Sequence, residues 1–238
     1  MSYKLRVKSE AGFTLLELLI SMTIGLVVLG SIFSSFTTQK KSYELQEQIT
    51  VMEQNLRVPL DFITRDLRNA GYNPTEDLTT GTSVGLIPDD PNDPDDPNVS
   101  ITTNSIKILS DIDGNGAIPT TNTDADEKVT YDLDGTDYTD GITFDIDRNG
   151  QPLVQNITAL TFTYYDSDGN TIATPITGTS LANIRVVQVS ITARTEREDP
   201  NLTSGGLNIT GTDADGMCRT RTLTSRVRTR NIGLQQTY

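Results

Sequence analysis

The chain has 238 residues, a formal net charge of −13 and a single cysteine, Cys218. It contains no histidine and no tryptophan, so the commonest general base and metal ligand are missing, and with them most hydrolytic triads and zinc chemistry. A lone cysteine excludes an internal disulfide, and the acidic balance denies the broad basic footprint that nucleic-acid backbones require.

Residues 1–12 form a short polar leader with Lys4, Arg6 and Lys8, the charge bias that keeps a segment on the cytoplasmic side of a membrane. From Phe13 to Phe36 the chain is apolar apart from one charge, Glu17. As a helix, these roughly 24 residues reach about 36 Å, enough for a hydrocarbon core of about 30 Å. A secretory signal places its small-residue cleavage site after the apolar run. Here Ala11-Gly12 precedes the run, so a cut after Gly12 discards the leader and keeps the membrane helix. A carboxylate in lipid is costly and calls for a partner. After such a cut the α-ammonium of Phe13 stands one helical turn from Glu17 and can neutralise it, within one chain or between neighbours.

The run Gly12-Phe13-Thr14-Leu15-Leu16-Glu17-Leu18-Leu19 resembles the processing site of type IV prepilins and type II secretion pseudopilins. The resemblance implies cleavage between Gly12 and Phe13 by a prepilin peptidase, N-methylation of Phe13, and docking of Glu17 onto the N-terminus of an adjacent subunit.

Over residues 37–72 the sequence turns polar but keeps a helical period. Leu45, Ile49, Met52, Leu56, Leu60, Ile63, Leu67 and Ala70 form one apolar stripe. Pro59 predicts a kink near Asn55 to Val58, and Asn69-Ala70-Gly71 predicts a stop. One helix is therefore expected from Phe13 to about Ala70, its 13–36 half in the membrane or filament core and its 37–72 half amphipathic. Asp61, Arg65, Asp66 and Arg68 read as a solvated face. The segments Ser42–Glu47 and Leu60–Tyr72 resemble PilW-type minor pilins.

Residues 73–238 read as an acidic, mainly β globular domain. Pro88–Asn98 is too rich in proline for a helix or a central strand, which makes it an exposed loop. Beyond it, Ile106–Leu109, Val129–Leu133, Ile142–Ile146, Leu160–Tyr164 and Val187–Ala193 mostly alternate apolar with polar residues, and Asp/Asn-Gly clusters separate most of them. The fold class expected is α+β and pilin-like: a long N-terminal helix packed on an antiparallel β-sheet domain. Residues 147–169 again resemble the PilW family. Residues 217–238 hold five arginines and no acid. Arg219 and Arg221 share one parity, and Arg226, Arg228 and Arg230 the other, which predicts a bulge or bend near Leu223-Thr224-Ser225. That tail reads as a charge-defended edge strand or as a basic docking strip for another subunit.

Asp111-Ile-Asp113-Gly-Asn115-Gly116 matches the first six positions of a calcium loop, as does Asp145-Ile-Asp147-Arg-Asn149-Gly150. Neither has Glu at the twelfth position, where Asn122 and Asn156 stand; Asp124 or Asp126 are the substitutes available to the first. Turns demand the same residue types, and the second run has the strand-like flanks of a hairpin tip. Calcium held by Asp111, Asp113 and Asn115 and a plain turn are both open readings, and no cofactor is required. The sequence shows no nucleophile beside a base, no phosphate loop and no redox cysteine pair, so no catalytic residue and no enzymatic activity are expected.

Together the residues and the resemblance imply a minor pilin of the PilW type. It would sit in the bacterial inner membrane as a single-pass protein with a periplasmic C-terminal domain and then enter the pilus. Its partners would be prepilin peptidase, other minor and major pilins, and the inner-membrane assembly machinery, with no nucleic acid. The alternatives are a GspJ-like minor pseudopilin of type II secretion, or a pilus-borne adhesin or calcium-binding tip protein. An adhesive surface would lie in residues 73–128 and 196–216, where no resemblance is seen.

Overall fold

The computed structural model describes residues 12–74, 85–86, 103–116, 126–134, 145–174, 176, 178–199, 201–202, 205–206 and 217–232. The leader before Gly12, the loop expected at 88–98, Asn122, Asp124 and the start of the strand expected at Ile142 lie outside the described residues. The chain divides into two compact units, Met1–Glu47 and Gln48–Tyr238, and the division falls inside one helix.

That helix, α1, spans Leu15–Asn69 and is continuous across Pro59, which is buried. It stops where the sequence predicts. Gly71 takes the left-handed conformation at φ 78° and donates its N–H to Leu109 O at 3.0 Å. A Cβ on Gly71 would stand 3.1 Å from the backbone of Asn231, so glycine also permits this close approach. Within the second unit Met52, Leu56, Ile63, Leu67 and Ala70 are buried, and Ile49 and Leu60 pack against them partly covered. The apolar stripe is thus the side of α1 that enters the core.

Two antiparallel sheets complete the core, where the sequence reading had one. Strands β1 (Gly85–Leu86), β2 (Ser105–Leu109), β3 (Lys128–Asp134), β4 (Asp145–Arg148) and β5 (Gln151–Gln155) pair in chain order. Strands β6 (Ile157–Tyr165), β7 (Thr171–Ile172), β8 (Val186–Arg194) and β9 (Thr220–Arg228) form the second sheet in the order β7-β6-β8-β9. The chain passes from one sheet to the other at Asn156, a non-glycine residue at φ 64° between β5 and β6, and the β6–β8 register shifts just beyond it. The burial pattern breaks at the same place: Ile157 and Leu160 are both buried with two half-buried residues between them, and the period of two resumes from Leu160.

Asn149 and Gly150, at φ 56° and 68°, make a two-residue turn between β4 and β5. The calcium-like run at 145–150 is therefore a strand and a hairpin tip. Strand β8 alternates cleanly: Val187, Val189, Ile191 and Ala193 are fully buried, while Ser190 and Thr192 pair outside with Thr224 and Thr222 of β9 at 3.1 and 2.8 Å. A single cluster joins these side chains to Ile106, Tyr131, Phe162 and the helix stripe.

Strand β9 is an edge strand, as expected, but it has no bulge; its register with β8 runs unbroken from Arg194↔Thr220 to Val186↔Arg228. The two arginine parities are the two faces of a regular strand. Arg221 shares the face of Val227 and forms an ion pair with Glu53 of α1, whereas Arg226 and Arg228 lie on the opposite face. Beside this strand Arg219 binds Asp199 at 2.8 Å.

Asp66 corrects the reading of a solvated charged face. It is only 8 % exposed and accepts a 2.6 Å hydrogen bond from Tyr131 Oη. Arg148 Nε donates to the same tyrosine oxygen at 3.3 Å, and its Nη2 lies 3.5 Å from Asp66 and 3.3 Å from Asp126. Burial, then the neighbouring Asp66 charge, raises the Tyr131 pKa well above the usual phenol value, so the hydroxyl stays the donor. The network ties α1 to β3 and β4.

Replacing Asp66 by Ala takes the buried acceptor from the Tyr131 hydroxyl, leaves Arg148 with only the exposed Asp126 as a carboxylate partner and costs about 3 kcal/mol, whereas Tyr131→Phe costs about 1 kcal/mol. Denaturant unfolding of the full chain in detergent measures both. Asp199 titrates below the ordinary carboxylate range, first because Arg219 donates to it and then because the Asn201 N–H does. A depressed carboxylate stabilises the fold above about pH 4 and loses that contribution as pH falls through its folded-state value. Asp199→Asn should therefore lower the Tm at neutral pH, and the gap to the parent should close as the solution is acidified below that range.

Candidate functional site

The first unit presents its site at the start of α1. Thr14 is the residue before the first helical position and Glu17 is the third residue of the helix. The Thr14 N–H and hydroxyl both donate to Glu17 Oε2 at 2.9 Å, and the Glu17 N–H donates to Thr14 Oγ1 at 3.2 Å. This is a reciprocal capping box, built from Thr-Leu-Leu-Glu, that satisfies N–H groups with no intrahelical partner. Both bonds to the carboxylate fall on Oε2, and Oε1 accepts none among the described residues. Every atom of the box belongs to Thr14 or Glu17, so a cut between Gly12 and Phe13 leaves it whole. Phe13, 85 % exposed, stands directly before it.

The helix that follows is apolar and uncovered. It contains an 18-residue window with a mean hydropathy of 2.2 that is not buried in the structure, and it is long and apolar enough to cross a membrane. Three of its hydroxyls bond back to the helix: Ser21 to Glu17 O at 2.7 Å, Thr23 to Ile20 O at 2.8 Å and Ser31 to Val27 O at 2.9 Å. Satisfied in this way, they add little to the cost of an apolar surrounding. Gly30, Ser31, Ser34 and Ser35 line a shallow groove along the helix, the kind of small-residue surface that lets another helix approach closely.

Residues 7–33 match the family model for the prokaryotic N-terminal methylation motif. The chain carries a pilin-type N-terminus. No curated protein and no solved structure matches it. The motif implies processing by prepilin peptidase and assembly with other pilins, and with the apolar helix it supports membrane anchoring followed by filament entry. It covers the second half of the leader and the apolar run as far as Phe33, and includes the positions of Gly12, Phe13, Thr14 and Glu17.

The acidic loop after β2 lies in the second unit. Asp111 is fully buried and accepts the N–H groups of Gly114 at 2.8 Å and Gly116 at 3.1 Å. Asp113 accepts the Asn115 N–H at 2.9 Å and its side-chain amide at 2.6 Å. These contacts give the turn chemistry that Asp, Asn and Gly provide. The Asn115 side-chain amide nitrogen donates to Asp113, and Asp126 pairs with Arg148. Glu127 joins the two aspartates: its Oε1 accepts the N–H groups of Ile112 and Asp113, and carboxylate oxygens of Asp111, Asp113 and Glu127 lie within 4.8 Å of one another.

Sequence reasoning missed two side chains of these candidate sites. Thr14 had a readable signal, the Thr-x-x-Glu spacing before an apolar run. Glu127 had none, because its place is set by the pairing of β2 with β3, which brings Leu109 opposite Lys128.

Proposed function

We propose that this chain is a minor pilin of the PilW type, a structural rather than catalytic subunit that helps initiate or cap a type IV pilus. In this reading the precursor spans the bacterial inner membrane with Lys4, Arg6 and Lys8 in the cytoplasm and the acidic domain in the periplasm. Prepilin peptidase cuts after Gly12 and Phe13 is N-methylated. The observation that carries the reading is the capping box within the methylation motif: it holds the Glu17 carboxylate at the helix start with Oε1 open toward an incoming ammonium. A new Phe13 ammonium, on this chain or an adjacent subunit, neutralises that oxygen in lipid, where an unpaired carboxylate is costly. The small residues from Gly30 to Ser35 then let neighbouring helices close on one another.

Glutamine at position 17 separates capping from charge pairing. Glu17→Gln keeps an oxygen acceptor for the Thr14 N–H and hydroxyl but cannot pair with an ammonium. Both Glu17→Ala and Glu17→Gln should insert into the membrane and be absent from sheared filaments. Normal incorporation of Glu17→Gln would reduce Glu17 to a helix cap. Terminal sequencing of filament-derived protein should begin at methylated Phe13. Recovery of the mature chain only from the cell envelope, with secretion lost on its deletion, would assign it to a type II secretion pseudopilus.

The calcium-binding tip reading is favoured by one observation, the convergence of Asp111, Asp113 and Glu127 from two segments. Like charges this close repel unless a cation lies between them, and extracellular modules bind calcium in the millimolar range. Calorimetric titration of the full chain in detergent should then show saturable heat at millimolar calcium, abolished by Glu127→Gln. An absence of heat removes this reading and leaves the loop as a turn.

A further inference from the structure

One end of the second sheet gathers five arginines around a cleft of about 480 Å³ lined by Arg68, Arg185, Arg226, Arg228, Arg230 and neighbouring aliphatic groups. Three pieces of chain meet there. Arg68 comes from the last turn of α1, and the contact of Gly71 with Asn231 brings that turn against the segment after β9. Arg185 precedes β8, and its carbonyl accepts the Thr229 N–H at 3.1 Å. Arg226 and Arg228 project from the exposed face of β9, and Arg230 follows it.

Two of the five are held in place. Arg185 donates to the carbonyls of Ala182 and Ile184 at 2.6 and 2.9 Å, while Arg226 donates to Gln188 at 2.7 Å and stacks 5.0 Å above the Tyr165 ring. None of the five forms an ion pair with a carboxylate among the described residues. The other β9-side arginines behave differently, since Arg219 takes Asp199 and Arg221 takes Glu53. Edge protection alone asks for scattered charge. It does not ask for a concave surface that carries only basic charge among the described residues in a chain of net charge −13. A cleft of one sign focuses its field and draws the opposite charge into it.

We infer that this cleft binds a short carboxylate-rich, base-free polypeptide segment of another subunit. Alternate residues on a strand stand about 7 Å apart, which sets the spacing of Arg226 and Arg228, and Arg230 follows just past the strand's end. A single small anion reaches one or two of these guanidinium groups; carboxylates repeated along an extended peptide reach them all, each in the paired geometry that arginine favours. A long polyanion such as nucleic acid would have to run on over an acidic protein, which repels it. The chain itself carries a sequence of the required kind: residues 88–98 include Asp89, Asp90, Asp93, Asp95 and Asp96 and no basic residue. A second copy is therefore a competent partner. The inference does not depend on pilus assembly, because the cleft and its ligand suffice.

The test is fluorescence anisotropy of a labelled peptide with the sequence of residues 88–98, titrated with the full chain in detergent. A parallel titration uses a chain whose five aspartates at 88–98 are asparagine, which removes competition by the protein's own segment. Binding should be saturable, weaken with salt and vanish for the all-asparagine peptide. Arg228→Ala and Arg230→Ala should each weaken it about threefold to tenfold. Arg221→Ala removes the same charge from the same strand, but about 24 Å from Arg228 along it, well beyond the Debye length, and should leave affinity within about twofold. The inference is overturned by an absence of binding to both chains, by equal binding of the asparagine peptide, or by an equal effect of Arg221→Ala. Displacement of the peptide by equimolar pyrophosphate overturns it in favour of a compact-anion site, and tighter binding of a DNA duplex through the same arginines overturns it in favour of a nucleic-acid surface.

Discussion

The second unit rests on burial of one stripe of α1 against the inner faces of two sheets. Leu56, Ile63 and Leu67 are almost completely buried, and removing such a side chain from water is worth about 1.5–3 kcal/mol. The same faces of β6 and β8 supply Leu160, Phe162, Tyr164, Val187, Val189 and Ile191. Neither a helix with one apolar stripe nor a small sheet with one apolar face is stable alone in water. Each supplies the cover the other needs, and this makes the period of the helix and the period of the strands a single constraint.

Polar contacts then select how these layers sit. Asn55 donates to Gln155 O at 3.1 Å, Gly71 to Leu109 O at 3.0 Å, and Asp66 holds Tyr131 and Arg148. A buried carboxylate that left its partners would strand a charge, so such groups penalise shifted packings more than they add net stability. Apolar contact is indifferent to small slips of a helix along a sheet, and directional bonds are not.

In the first unit the demand is reversed. Its helix exposes Leu, Ile, Val, Met and Phe side chains all around, which calls for lipid or other helices as its environment. Within that surface, Glu17 and the hydroxyls of Ser21, Thr23 and Ser31 are partnered by the helix itself. Local geometry thus fixes the carboxylate at the helix start and satisfies these hydroxyls without help from a partner.

Much of this was legible in the residues. The step of three and four from Leu45 to Ala70 and the single charge in the run from Phe13 depend on local spacing, and so did most of the strands. Asn149-Gly150 and Gly71 were readable too, since a left-handed backbone leaves few choices of residue. The Thr14–Glu17 box was equally local. Other features depended on residues far apart in the chain. Asp66 looks like any charged helical residue until β3 brings Tyr131 onto it, and Glu127 reaches the Asp111 loop only through the β2–β3 register. The alternation is interrupted between Ile157 and Leu160, but an interruption of that kind does not by itself say that β5 and β6 belong to different sheets. The opposed arginine parities of β9 mark two faces of one regular strand, a distinction that exists only once α1 covers one of them. Sequence alone determined the periodic elements, their ends and the pilin-type N-terminus, because those follow from spacing along the chain. Tertiary structure decided which charges are buried, which converge and which stay unpaired, because a charge acquires its neighbours only when distant segments pack.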